Sequence, residues 1–233
     1  MSGFRIEDLS RDLSFKSEPY LIYWDRKNNG NSNYLLSSAK KMNLENNLAY
    51  SSQVHSNSIA IVESPGRIGE YDSLITNNYG LLLGIQVADC LPIYLSDKNK
   101  SIIGLIHAGW RGSKLGITRD TISLIKKDFH VSPTDIIIFI GPSIRSCCYE
   151  VGEEVAKKFD NKHLIRNSNN HYYLDLVDVN LEQLKIAGLK NHNIRIDERC
   201  TSCSKGILHS FRRDGKRAGR NVCFIGHEGL IPK

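Results

Sequence analysis

The chain has 233 residues, a mass of 26.3 kDa, 40% hydrophobic and 24% charged residues, and a formal net charge of +6. That length can bury a substantial core and favours one large domain over two small ones, and the composition fits a soluble globular protein. No apolar run reaches the length of about 18 residues that a spanning helix needs, so no membrane partner is expected.

The opening stretch, MSGFRIEDLSRDLSFKSEPY, mixes charges with apolar residues and lacks the apolar centre and small-residue cleavage pattern of a secretory signal, so a cytoplasmic location is expected. Six cysteines do not overturn this, because an even count alone establishes no disulfides in a chain this long, and Cys147 and Cys148 are adjacent, unlike a regularly stapled framework.

The first 50 residues read as a variable N-terminal segment of modest apolar stretches around a turn-rich connection, DRKNNGNSN, at 25–33. LLSSAKKMNLENNLAY then suits a short helix, weakened by Asn and Ser that compete for backbone hydrogen bonds. From Val54 onward, IAIV, LLLGIQVAD, LPIYLS and SIIGLIHAG are short, β-branched and bounded by Gly, Pro or charge, which predicts packed strands. Apolar spacing predicts an amphipathic helix over Ser113–Phe129, ending near His130 and Pro133. DIIIFIG predicts a strand, then a GPSI turn and a helix from about Tyr149 to Phe159 whose start could aim backbone amides at an anion. A later helix is predicted over Asp175–Ala187, stopped by Gly188, with NIRID and NVCFIG as final strands. Recurring strands and helices without a fixed repeat point to an α+β or α/β domain.

Cys90 ends one apolar segment and His107 ends the next, so two strands could bring a thiolate and an imidazole together, both suitable zinc ligands. His55, at a polar-to-apolar transition before another strand, is a reasonable third. Three protein ligands would leave a position for water or substrate. Taken singly, a strand-end His can equally make an ordinary hydrogen bond, and a core-edge Cys can be a small buried hydrophobe.

These segments together resemble the YfiH/YlmD family, which is related to laccase-domain proteins and formerly described as multicopper polyphenol oxidases. The resemblance rests on QVHSN at 53–57, YDSLIT at 71–76, ADCLP at 88–92, HAGWRG at 107–112, GPSI with YEVGEEV at 141–155, and FRRDG with AGR at 211–220. It implies an α+β fold, a four-layer α/β/β/α sandwich, formed by a single catalytic domain over 1–233. It also implies Zn(2+) at His55, Cys90 and His107. The implied activity is phosphorolysis of adenosine, inosine and methylthioadenosine together with adenosine deamination. Purine nucleosides and inorganic phosphate are then the expected ligands of a monomer or homodimer.

Deamination needs an activated water and a proton-transfer group; metal coordination can bring a water's pKa to about 7. Asp72 and Asp89 are the proton-transfer candidates and, with Arg111, make up the catalytic set, although Asp89 could instead orient a turn and Asp72 could cap or pair with a cation. Phosphorolysis needs an oxyanion held at the sugar. Arg111, Arg212 and Arg213 offer planar, bidentate donors for it, and Cys148 could line the same pocket. Gly109 and Gly112 would permit close backbone approach or simply a tight turn. Glu150 could serve as an acid or a helix cap. Cys200 and Cys203 form CTSC, open to redox, metal, structural or free-thiol roles.

Two alternatives remain. One Cys and two His can also bind Cu(2+), but coupled copper oxidation of phenols needs several ligand sets, and the chain has no His-x-His array. Six Lys or Arg and one Asp between Lys205 and Arg220 give a local charge of +5, which could bind nucleic acid, but no specific nucleic-acid module accompanies it.

Overall fold

The computed structural model describes the backbone of residues 5–8 and 20–27, and residues 34–99, 101–227 and 230 in full. In chain order the strands are β1 (Arg5–Asp8), β2 (Tyr20–Lys27), β3 (Leu48–Tyr50), β4 (Ile59–Ile61), β5 (Gly66–Arg67), β6 (Ser73–Thr76), β7 (Leu82–Val87) and β8 (Leu91–Asp97). They continue as β9 (Ile103–Ala108), β10 (Ile136–Ile140), β11 (Glu150–Val151), β12 (Leu164–Arg166), β13 (Tyr172–Leu174), β14 (Ile194–Ile196) and β15 (Arg220–His227). The α-helices are α1 (Tyr34–Lys41), α2 (Trp110–Leu115), α3 (Ile117–Asp128), α4 (Glu153–Ala156), α5 (Leu176–Ile186) and α6 (Phe211–Asp214).

Two six-stranded sheets carry the fold, ordered β1-β2-β15-β7-β3-β5 and β14-β10-β8-β9-β6-β4; a third of three strands, β11-β13-β12, stands beside them. Strand alternation explains the stacking. In β7, Leu83, Ile85 and Val87 join Cys223 and Ile225 of β15 in a core shared with Tyr94, Ile103, Leu105 and Phe139 of the second sheet. The intervening Leu82, Val222 and Phe224 face the other way, onto Leu35 and Ala39 of α1. Likewise Ile93, Leu95, Ile106 and Ile138 turn their faces to Ile122 and Ile125 of α3 and Leu184 of α5. A period of two therefore gives each sheet two apolar faces, and the layers follow as helix, sheet, sheet, helix. This is the expected α/β/β/α arrangement.

Three local expectations change. The single helix over Ser113–Phe129 is two helices, because Gly116 takes φ 91° and serves as the end of α2 and the start of α3. That left-handed conformation suits glycine, and Ser113 is fixed across the break by buried Asn180, whose amide donates to Ser113 Oγ at 2.9 Å. The helix expected over Tyr149–Phe159 is instead β11 followed by the single turn α4, since Glu150 and Val151 pair with Tyr173 and Tyr172. GPSI accordingly leads into turns and an edge strand, and the helix start that follows is the single turn α4 with Glu153 and Glu154 in it, a poor place for an anion. Of the 25–33 connection, Asp25 to Lys27 end β2 and the rest lies outside the described residues. No helix among the described residues is long and apolar enough to cross a membrane.

Candidate metal centre and active-site cavity

His107 follows Ile103 and Leu105 on the face of β9 that looks toward the first sheet, at the strand's end. Cys90 lies in the bend between β7 and β8, and His55 in the loop between β3 and β4. The ligand atoms of His55, Cys90 and His107 lie within 4.8 Å of one another. Cys90 Sγ is 3.9 Å from His55 Nε2, and the two imidazoles meet edge to face with centroids 4.8 Å apart.

Asp72, immediately before β6, organises this centre. Its carboxylate accepts from His107 Nδ1 at 2.7 Å, from the backbone N–H of Val54, His55 and Ser56 at 3.3, 3.0 and 2.7 Å, and from Ser56 Oγ at 2.8 Å. Three consecutive amides can wrap one carboxylate because His55 adopts φ 61°, curling the chain into an anion-holding nest. A non-glycine residue there costs about 1–2 kcal/mol, which the charge-assisted bonds to Asp72 offset. Gly109 is required on the opposite side, because a Cβ there would lie 2.9 Å from His55 Cδ2 and 3.1 Å from Cys90 Sγ.

The electrostatics follow from this packing. Burial works against ionising Asp72, yet the bonds from His107 and Ser56 bring its carboxyl down to about 2. Burial likewise opposes the Cys90 thiolate, but the adjacent His107 charge and the hydrogen bonds from both histidines bring it down to about 6. Burial would lower His107, but the charge of Cys90 and the bond to Asp72 raise it to about 9. In the chain by itself Cys90 and His107 therefore each favour the charged form of the other.

The three ligands border a cavity of about 930 Å³, within the range of small-molecule sites. Tyr149, Phe211 and Ile144 supply apolar wall, and Arg67, Arg212 and Arg220 supply positive charge. Burial pushes the Tyr149 hydroxyl well above the usual phenol range; the Cys90 and Asp89 charges add to this and Arg212 opposes it.

The remaining candidates divide. Asp89 lines the cavity, and both its oxygens are engaged, one by Thr201 Oγ1 at 2.6 Å and the other by the Arg212 backbone N–H at 2.7 Å. Its φ of 92° sets the bend that presents Cys90. The Arg212 guanidinium lines the cavity and donates to the carbonyls of Cys148 and Glu150. Arg213 instead donates to the carbonyls of Thr201, Ser202 and Leu208 and pairs with Asp214 at 2.7 Å. Arg111 is not among the cavity's lining residues; its guanidinium lies 4.4 Å over the Trp110 ring. Glu150 pairs with His171 at 2.7 Å. Cys148 sits with Cys147, Cys200 and Cys203 in a separate cluster. Residue-by-residue reading did not single out Arg67, Tyr149, Phe211 or Arg220. Tyr149, Phe211 and Arg220 lie inside the motifs that carry the resemblance; for Phe211 and Arg220 an aromatic beside a basic cluster was the available signal, whereas Tyr149 sits among cysteines and acidic residues. Arg67 carries none.

The fold is a two-sheet sandwich flanked by helices that brings a His/Cys/His cluster to the wall of a cavity. The family model described as multi-copper polyphenol oxidoreductase laccase matches residues 22–228, and the chain belongs to that family, the YfiH/YlmD group. It is 34% identical over 224 residues to a purine nucleoside phosphorylase of Clostridium acetobutylicum, covering 91% of this chain and 94% of that one. It is 39% identical over 162 residues to the purine nucleoside phosphorylase YlmD of Geobacillus stearothermophilus, covering 66% of this chain and 59% of the relative. The crystal structure of YlmD from that organism superposes with a TM-score of 0.81 at 30% identity, covering 89% of this chain and 91% of the other.

Proposed function

We propose that the protein is a zinc-dependent purine nucleoside phosphorylase that also deaminates adenosine. The observation that carries the reading is the convergence of His55, Cys90 and His107 on a cavity with aromatic and cationic walls. The donor set fits the metal. Zinc with Zn–S of about 2.3 Å and Zn–N of about 2.0 Å places tetrahedral S and N ligands about 3.5 Å apart, a small adjustment from the 3.9 Å between Cys90 and His55. Asp72 holds His107 Nδ1–H, which leaves Nε2 as the ligating atom, an arrangement common to metal-bound histidines. Held there, zinc supplies Lewis acidity.

The chain's own groups then have distinct tasks. Arg212 keeps guanidinium donors beyond the two used on carbonyls, and with Arg220 and Arg67 it gathers phosphate and aligns an oxygen with the anomeric carbon. Tyr149, kept neutral, donates a hydrogen bond to the departing purine, while Phe211 packs on the ring and limits water access. Asp72 acts through His107 as a positioning residue, and Asp89 fixes the Cys90 bend and the start of α6. Arg111, stacked on Trp110, lies within electrostatic reach of Tyr149 at the cavity wall and adds positive charge from behind it. Three of the six basic residues in the 205–220 segment are committed, Arg212 and Arg220 to the cavity and Arg213 to carbonyls, while Lys205, Lys216 and Arg217 remain on the surface; the cavity, not the charge, favours the enzyme reading.

Product analysis tests the proposal. Zinc-loaded protein with inosine, adenosine or methylthioadenosine in phosphate should release free base and the sugar 1-phosphate, and adenosine without phosphate should yield inosine. Neither product across a broad purine panel would reject it.

A further inference from the structure

Four of the five remaining cysteines come together although they are 52 or more positions apart in two pairs, Cys147 with Cys148 and Cys200 with Cys203. All four sulfurs lie within 4.8 Å of one another. Cys147 Sγ is 3.7 Å from Cys148 Sγ and 3.8 Å from Cys203 Sγ, and Cys148 Sγ is 3.4 Å from Cys203 Sγ. A tetrahedral zinc with four bonds of about 2.3 Å has sulfur–sulfur edges of about 3.8 Å. A disulfide needs about 2.05 Å, and all four cysteines are free.

Backbone geometry supports the same ligand. One pair sits in a turn closed by the Cys148 and Tyr149 N–H donating to the Arg145 carbonyl, each at 2.9 Å; the other sits in a turn closed by Ser204 N–H to the Cys200 carbonyl at 2.9 Å. An isolated bridge between Ser143 and Cys200 and a bond from Thr201 N–H to the Ser143 carbonyl at 3.0 Å dock one turn on the other. Backbone N–H groups of Cys203, Arg145 and Ser202 point at the Cys200 sulfur. Such donors favour a thiolate, the form a metal binds. The quartet contains no carboxylate or imidazole, so it selects a soft, tetrahedral cation.

We propose that Cys147, Cys148, Cys200 and Cys203 form a second, structural zinc site, distinct from the His55–Cys90–His107 centre. With four protein ligands it is closed to substrate, and it staples two turns that hold the cavity wall. Thr201, between two of the ligands, donates to Asp89; the Cys148 carbonyl receives Arg212; and Tyr149 follows Cys148 directly. The site stands independently of the nucleoside chemistry.

The test is zinc content of the full chain expressed with zinc and purified under mild reduction without chelator. Wild type should hold about two equivalents. The His107→Ala chain, with all four cysteines intact, should hold about one, in an all-sulfur shell by X-ray absorption at about 2.3 Å. A Cys147→Ser, Cys203→Ser double variant should also hold about one, in a mixed nitrogen and sulfur shell. No zinc in folded His107→Ala, a shell without four sulfurs, or a disulfide within the quartet would overturn the site. Should either variant fail to fold, wild type decides: one equivalent in a mixed shell refutes the proposal, and two equivalents with a sulfur-dominated average support it.

Discussion

Replacing Asp72 with Asn tests the organisation of the candidate centre most sharply, because Asn keeps the shape and removes the charge. The carboxylate is nearly inaccessible, 1% exposed, and takes bonds from His107, three backbone amides and Ser56 Oγ. An Asn side chain must turn its NH2 toward some of these donors, so at least two bonds are lost. Lowering the carboxyl from 3.8 to about 2 corresponds to about 2.5 kcal/mol of native-state stabilisation. Because the folded value lies below the unfolded one, this stabilisation is fully present above about pH 4 and lost as the pH falls through about 2. The Asp72→Asn chain, freed of metal, should lose about 2–4 kcal/mol in urea unfolding at pH 7, and this component of the acid dependence should vanish. Its zinc affinity should fall about 10- to 100-fold. A stability within about 0.5 kcal/mol of wild type at pH 7, with an unchanged acid limb, would refute the reasoning.

Gly109→Ala should leave the chain folded but displace His55 or Cys90, since the added Cβ would sit 2.9 Å from one and 3.1 Å from the other; competition with a chromophoric chelator should show zinc binding about tenfold weaker, roughly 1.4 kcal/mol. Arg212→Lys retains charge but cannot serve the Cys148 and Glu150 carbonyls as a fork. Steady-state kinetics should show KM for phosphate rising about tenfold, the loss of one charged hydrogen bond at about 1.5 kcal/mol. Thr201→Val strips Asp89 of its buried 2.6 Å donor, and thermal or urea unfolding should report about 1–3 kcal/mol of destabilisation.

Much of the layered fold was legible because each sheet has two apolar faces. Runs such as LPIYLS and DIIIFIG are apolar throughout, and their strands are covered by the partner sheet on one side and helices on the other. The Asp175–Ala187 helix was readable from its spacing and its stop at Gly188; its start is fixed by Asp175, which accepts from the Asp178 N–H at 3.0 Å. The break at Gly116 was hidden, because apolar spacing continues across it and only the backbone reveals the left-handed turn. The Tyr149–Phe159 helix failed where pairing with β13 overrode local preference.

The candidate centre shows the same division. His55, Cys90 and His107 could be named from motifs, since each ends or precedes a strand. The service of Asp72 to three successive amides could not, because it depends on the left-handed turn at His55. The adjacency of Cys147 and Cys148 gave little reason to expect a shared ligand until the 200–203 turn was seen beside them.

The central claim is that phosphorolysis depends on zinc at His55, Cys90 and His107. The most direct measurement is phosphate-dependent release of hypoxanthine from inosine by metal-stripped protein as zinc is returned. Activity should be absent after stripping, return with zinc, and fail to return in His107→Ala. Full activity in the stripped protein, or recovery with copper but not zinc, would contradict the account.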